Sequence, residues 1–122
     1  MIWTIGIDPG LCGALALVDG DCELVDTLDT PTVKVDKGKR LHAEREMYEA
    51  LRWMIMKAPE ERVYIFIERQ QMIPGINAFA MFGTGFSFGL WSMAAAASGK
   101  PWQSIAPQTW TKIGRASCRE RV

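Results

Sequence analysis

The chain has 122 residues, of which 48% are hydrophobic and 23% charged, so its composition fits one globular domain with one modest core. Its 14 basic and 14 acidic residues give a formal net charge of zero, which gives no support for binding to nucleic acid. No run approaches the roughly 20 uncharged apolar residues of a membrane span, and the start lacks the basic region of a secretory signal, so we expect a cytoplasmic protein without membrane contact.

The first part of the chain predicts three strands. The apolar run Ile2 to Ile7 leads into Asp8 and turn residues, and a short run of this kind favours a buried strand. A second run, Cys12 to Val18, follows at once. The turn residues 19–20 then precede a third run, Cys22 to Leu28. We therefore expect an antiparallel meander.

The segment of residues 30–41 contains a proline, a glycine and four basic side chains, and this composition predicts an exposed loop. The basic residues are Lys34, Lys37, Lys39 and Arg40. A solvated loop and a loop that contacts DNA both fit the pattern.

Helices and strands alternate in the second part of the chain. Ala43 to Lys57 has apolar residues at three- and four-residue intervals, which predicts an amphipathic helix. Residues 63–67 predict a buried strand that runs into Glu68 and returns parallel to the first strand by a right-handed crossover. Asn77 is expected to cap a second helix that extends to about Ser98 and is apolar on nearly all sides. Core packing is the first interpretation of this helix, and a subunit interface is the second.

The end of the chain predicts a fifth strand, Trp102 to Ile105, and the start of a third helix at Pro107. Residues 113–122 resemble the translation of a common sequencing adapter, so we take residues 1–112 as the domain. Without this tail the chain keeps 11 basic and 13 acidic residues and carries a charge of −2.

Asp8 and Glu68 each end an apolar strand, and ionised carboxylates rarely lie at the edge of a core without a partner. A parallel crossover brings both to the carboxyl ends of neighbouring strands, where open α/β sheets place their functional crevice. Mg²⁺ is a suitable partner because it prefers oxygen ligands, and bound ions can activate water and stabilise a leaving oxygen. The spacing alone leaves a metal site and a strand-ending turn open.

His42 is the single histidine of the chain, and we expect it to be a surface or capping residue. Catalysis of the Ser-His-Asp or Cys-His kind is therefore not favoured.

The motif Ile-Gly-Ile-Asp-Pro-Gly at residues 5–10, followed by the small strand at residues 12–18, resembles the first hairpin of RuvC-type Holliday junction resolvases and their phage relatives. Residues 63–68 are similar to the family's fourth strand with its catalytic Glu. Residues 82–112 are similar to the helix, strand and helix that follow. The resemblance implies an RNase H-like α/β fold with a mixed five-stranded sheet, flanking helices and a missing final helix.

The resemblance also implies a homodimeric endonuclease that nicks branched DNA with Mg²⁺ or Mn²⁺. Asp8 and Glu68 would be its catalytic metal ligands. The family completes this site with acidic residues, sometimes a histidine, on a C-terminal helix, and no acidic residue follows Glu68 before the adapter-like tail. We therefore expect the chain as given to be inactive or very weak.

DNA contacts are expected from the basic loop and from Arg69. Relatives can carry an aromatic wedge shortly after the catalytic Glu, and Met72 or Ile73 stands there in this chain. Two alternatives stay open: a fragment of an actin-like or sugar-kinase ATPase, and a junction-binding module without catalysis.

Overall fold

The structure, a computed structural model, describes residues 1–59, 62–69, 75 and 77–106. The expected third helix, the domain end at residue 112, the adapter-like tail and the wedge candidates Met72 and Ile73 lie outside the described residues. The elements are β1 (Ile2–Asp8), β2 (Ala14–Val18), β3 (Leu24–Asp29), β4 (Thr32–Lys34), β5 (Arg40–His42), α1 (Glu44–Lys57), β6 (Arg62–Glu68), α2 (Ala78–Ala97) and β7 (Trp102–Ile105).

Five of the strands form one mixed sheet in the order β3-β2-β1-β6-β7, which confirms the predicted fold class. The first three strands form the expected antiparallel meander, and β1 pairs with β6 in parallel. β6 in turn pairs with β7 in parallel. After the meander and the β4–β5 hairpin the chain reaches β6 through α1, and it passes from β6 to β7 through α2, in the same direction across the sheet. Right-handed crossovers in one direction place both helices on the same face.

The hydrophobic core lies between that face and the two helices. The sheet contributes alternate residues of its three central strands, which are fully or almost fully buried: Ile5, Ile7, Leu15, Leu17, Val63, Ile65 and Ile67. The helices contribute Met47, Leu51 and Met54 from α1 and Trp91, Ala94 and Ala95 from α2. Because strand side chains alternate, the remaining residues of these strands point to the opposite face.

Local sequence signals explain both helices. Glu44 and Glu46 lie in the first turn of α1 and Lys57 in the last, where each charge interacts favourably with the helix dipole. Asn77 caps α2 as predicted, since its side chain accepts a hydrogen bond of 2.8 Å from the backbone N–H of Ala80.

The predicted loop at residues 30–41 is wrong in part, because most of it forms a β-hairpin. β4 pairs with β5 in a separate two-stranded sheet. Lys37 and Gly38 have φ of 62° and 74° at its tip, the left-handed conformation that tight hairpin turns require. A lysine seldom adopts this conformation, so the composition of the segment did not predict the turn.

Core packing describes only part of α2. Ser87, Trp91, Ala94 and Ala95 are buried, whereas Phe79, Phe82 and Met93 are 88%, 72% and 70% exposed. The helix has no charged residue over its length, and by length and composition it is long and apolar enough to cross a membrane. The expectation that no run approaches such a span is therefore wrong, although core helices of soluble proteins meet the same two criteria.

Gly13 lies directly before β2 and close to the backbone of Asp8 at the end of β1. Its N–H donates to the carbonyl of Gly10, and its own carbonyl accepts from the N–H of Thr30. A Cβ at this position would clash with the backbone carbonyl of Asp8. The absence of a side chain thus lets three chain segments meet beside Asp8.

We expect Gly13→Ala to lower the free energy of unfolding by about 2 kcal/mol, because the backbone of Asp8 must move. Gly83→Ala is the control, since a Cβ there meets no atom within 4 Å. In a helix it should raise stability by about 0.5–1 kcal/mol. Urea denaturation measures both, and equal effects of the two variants would contradict the steric argument.

Candidate metal centre

Asp8 and Glu68 lie side by side at the carboxyl ends of β1 and β6. The two strands are in register through the pair Ile7 and Ile67, so the residue that follows each isoleucine meets the other across the sheet. The two carboxyl side chains lie close enough for the charge of Asp8 to act on Glu68. The structure therefore brings together the two residues that the sequence singled out.

The electrostatics of this pair disfavour two negative charges. Partial burial raises the pKa of Glu68, and the nearby carboxylate of Asp8 raises that pKa further. Asp8 is exposed and Glu68 is half-buried, so solvent ions reach the pair. Such a pair requires a shared proton or a cation for full stabilisation.

The pair faces away from the helices. Ile7 and Ile67 point into the core, so Asp8 and Glu68, the next residues along each strand, point to the opposite face. This face also carries Gly6, Ala16 and Phe66 and is named the open face here. No helix among the described residues packs on the open face, so none of them covers the two carboxylates.

A third carboxylate lies in the same row of the sheet. Asp29 of β3 pairs with Ala14 of β2, and Ala14 pairs with Asp8. Directly paired residues share a face, so Asp29 also points to the open face, about 10 Å from Asp8 across two strand spacings. Sequence reasoning missed Asp29. The pattern that singled out Asp8 and Glu68, an acidic residue at the end of a strand, could also have found it.

Asp8 and Glu68 fit a hard divalent cation in donor type, because Mg²⁺ binds carboxylate oxygens and relieves the repulsion between them. Within residues 1–59, 62–69, 75 and 77–106, no group of three or more His, Cys, Asp or Glu side chains is placed to hold an ion. The described pair therefore supplies a partial ligand set, which water or further carboxylates must complete.

The other predicted site residues lie on separate elements. Lys34, Lys39 and Arg40 are exposed on the β4–β5 hairpin together with Lys37. Arg69 is exposed directly after Glu68, and its backbone N–H donates to the carbonyl of Ile105 at 2.6 Å. Met72 is outside the described residues.

His42 is neither a free surface residue nor a helix cap. It is half-buried at the end of β5, and its Nε2 lies 2.5 Å from the hydroxyl of Ser87 on α2. The expectation of a surface or capping histidine is therefore wrong. Pairing with a buried serine gives no support to nucleophilic catalysis, since Ser87 is only 2% exposed.

The open face also contains a hollow of about 290 Å³, but this hollow is at the amino end of β1, away from Asp8 and Glu68. Its lining residues are Ile2, Thr4, Val18, Asp19, Gly20, Cys22, Tyr64 and Phe66. The carboxylate pair and this hollow thus lie at different places on the open face.

Comparison with solved structures identifies the fold. A structure of T. thermophilus RuvC in complex with a Holliday junction substrate matches with a TM-score of 0.61 and 19% identity, over 88% of this chain and 66% of that chain. A second Thermus thermophilus RuvC structure matches with a TM-score of 0.51 and 19% identity, over 86% of this chain and 64% of that chain. The chain therefore has a RuvC-like RNase H fold and spans about two thirds of the length of these two structures.

No protein-family model matches the sequence, and no curated protein sequence matches it either. The likeness to RuvC thus lies in the fold.

We expect Glu68→Gln to stabilise the fold at neutral pH without divalent ions, by about 1–3 °C in Tm, because it removes the like charge beside Asp8. The pKa of Glu68 is raised in the folded state, so ionising it disfavours folding above that raised pKa, and this penalty is absent below the ordinary value of 4.5. The Tm difference between the variant and the native chain should therefore grow as pH rises through this range.

Thermal unfolding with and without Mg²⁺ checks this prediction. The ion should raise the Tm of the native chain and leave that of Glu68→Gln unchanged, because ligand binding stabilises the form that binds it. Glu49→Gln on the exposed side of α1 is the matched control and should behave like the native chain. An equal Mg²⁺ effect in all three proteins contradicts the assignment.

Proposed function

We propose that the chain is part of a divalent-metal-dependent endonuclease that hydrolyses phosphodiester bonds in branched DNA such as Holliday junctions. The observation that carries the proposal is the pairing of Ile7 with Ile67, which places the carboxylates of Asp8 and Glu68 side by side at the carboxyl ends of two parallel strands. The RuvC-like fold supports it, and one of the matched structures is a RuvC complex with a Holliday junction substrate. We also propose a cytoplasmic location, in a bacterial or phage-infected cell.

In this proposal Asp8 and Glu68 are the catalytic metal ligands and hold Mg²⁺ or Mn²⁺ on the open face. The ion supplies a more acidic bound water and stabilises the negative charge that develops on the phosphate. The protein itself fixes the positions of the two carboxylates. Because β1 and β6 lie in the buried centre of the sheet, Asp8 and Glu68 have little freedom to separate.

The proposed site needs further ligands from a segment that reaches the open face. Asp8 and Glu68 form a partial ligand set, and the chain spans about two thirds of the matched RuvC structures. Asp29 lies too far from Glu68 to complete one ion site with it, at about three strand spacings. We therefore propose that the chain as given is inactive or very weak and that a longer form carries the remaining acidic residues.

We propose that the exposed basic residues contact the DNA backbone. These are Lys34, Lys37, Lys39, Arg40 and Arg69. We propose Met72 or Ile73 as the wedge, from its place in the sequence shortly after Glu68. Phosphate contacts of this kind contribute to affinity without sequence preference and weaken as salt increases.

The nuclease proposal is tested by incubating a four-way junction with Mg²⁺ and the chain, and with any longer protein that the parent gene encodes. We expect nicking by the longer protein. In that protein Asp8→Asn should reduce the rate about a thousandfold or more and leave junction binding largely intact, because it removes an ion ligand and no basic contact. Asp21→Asn in the exposed turn between β2 and β3 is the matched control.

The outcomes separate the alternatives. Junction binding without nicking by the longer protein indicates a binding module, and ATP hydrolysis that depends on Asp8 indicates an actin-like or sugar-kinase ATPase. Nicking by the chain itself at the rate of the longer protein contradicts the incomplete site.

We also propose a homodimer, with the exposed side of α2 as the contact between two copies. Phe82 and Phe86 lie with their rings 6.0 Å apart and nearly parallel, and Gly85 and Gly89 beside them leave a shallow apolar hollow. One helix thus presents both bulky side chains and a hollow that can receive the side chains of a second helix. In two copies related by a two-fold axis, the aromatic rings of each copy can therefore pack into the hollow of the other.

We expect Phe82→Ser to weaken this dimer at least tenfold, because a large exposed aromatic ring at the centre of an interface is a frequent hot spot. Sedimentation equilibrium of the native chain and the variant measures the change. Met56→Ser is the control, since Met56 is 75% exposed on α1 and outside the proposed contact. A native monomer, or partition of the native chain into lipid vesicles in place of dimerisation, contradicts the proposal.

A further inference from the structure

We propose that His42 is a positioning residue whose contact with α2 holds the β4–β5 hairpin in place as a basic surface for the phosphate backbone of DNA. The choice of DNA as the ligand rests on the proposed function, whereas the contact between the hairpin and α2 is independent of it.

The charge of the hairpin points to a polyanion. Residues 32–42 contain four basic side chains and one acidic side chain, in a chain whose net charge is zero. Lys34 and Arg40 form a directly opposed cross-strand pair. Like charges in this arrangement repel each other, and a bound phosphate relieves the repulsion.

The hairpin has its own rigidity. Three residue pairs connect β4 with β5, and the guanidinium Nη1 of Arg40 donates to the hydroxyl of Thr32 at 2.9 Å. Lys37 and Gly38 form the tight turn at its tip. Its basic groups therefore move together, and the orientation of the hairpin decides where they all lie.

The side chain of His42 joins this hairpin to the body of the protein. Its Nε2 is 2.5 Å from the hydroxyl of Ser87, and its ring meets the ring of Phe86 edge-on with centroids 5.3 Å apart. Ser87 is buried on α2, while the hairpin residues Val33 and Leu41 are 49% and 57% exposed. The hairpin therefore packs on the body through the residue at its base and projects its basic strands into solvent.

Burial favours the neutral form of His42. Burial lowers the pKa of His42 from its ordinary value of 6.5, while the negative charge of Glu44 at the start of α1 acts in the opposite direction. On the hairpin Arg40 lies two residues before His42 on the same side, and α2 contributes no charged residue. Because the pKa is lowered, the stabilising contribution is present above 6.5 and is lost as pH falls through the lowered pKa.

The inference is tested with the complete 122-residue chain and a fluorescent four-way junction in EDTA, where binding is measured without cleavage. We expect His42→Ala and Ser87→Ala each to weaken binding about fivefold through loss of one hydrogen bond. The double variant should be no weaker than either single variant, because both remove the same contact. His42→Gln, whose amide can still meet Ser87, should retain most of the affinity.

Two further readouts separate positioning from general damage to the fold. Hydrogen exchange of residues 32–42 should accelerate in His42→Ala while that of β1 stays unchanged, since the core does not depend on the contact. As pH falls, the native chain should lose affinity relative to His42→Gln. A direct phosphate contact by protonated His42 predicts the opposite sign.

Lys39→Ala is the reference for a true phosphate contact and should reduce the dependence of binding on salt by about one charge. Lys100→Ala, a basic residue outside the hairpin, should leave it unchanged. Unchanged junction affinity in His42→Ala overturns the inference and leaves the proposed nuclease standing. If His42→Ala weakens junction binding and the longer protein never cleaves DNA, the inference is supported and the nuclease proposal fails.

Discussion

The contact between two like-charged side chains, Asp8 and Glu68, is the constraint on which the proposed function depends. A one-residue shift of β1 against β6 would separate them, but it would also turn buried isoleucines to the open face. The core residues Ile5, Ile7, Ile65 and Ile67 are fully buried, and each contributes about 1.5–3 kcal/mol. Repulsion between partly exposed carboxylates is about 1–4 kcal/mol. The core therefore holds the pair together.

The direction of the chain through the sheet determines which side the site faces. Both crossovers run the same way, so α1 and α2 share one face and the carboxylates point to the other. Glycine and alanine residues of β1 and β2 keep that other face shallow around the pair. A parallel sheet is usually covered on both faces. The open face therefore has room for a further segment beside the two carboxylates.

Apolar runs bounded by turn residues predicted the five strands of the sheet, and the spacing of apolar residues predicted α1. The Asn77 cap and the long apolar stretch that follows it predicted α2. The β4–β5 hairpin was missed because its turn uses a lysine with positive φ and its strands bury little. The sequence left core packing and a subunit interface open for α2, because composition does not say which neighbours a helix has. Asp29 was missed because its relation to Asp8 depends on register across two strand pairs.

The most direct measurement of the central claim is the position of Mn²⁺ in crystals soaked with this ion and examined by anomalous diffraction. The account predicts one peak on the open face between the carboxylates of Asp8 and Glu68, with oxygen distances of roughly 2.0–2.2 Å. It also predicts that the peak disappears in crystals of Asp8→Asn. Strong peaks elsewhere with none at this pair, or a peak that persists in Asp8→Asn, would contradict it.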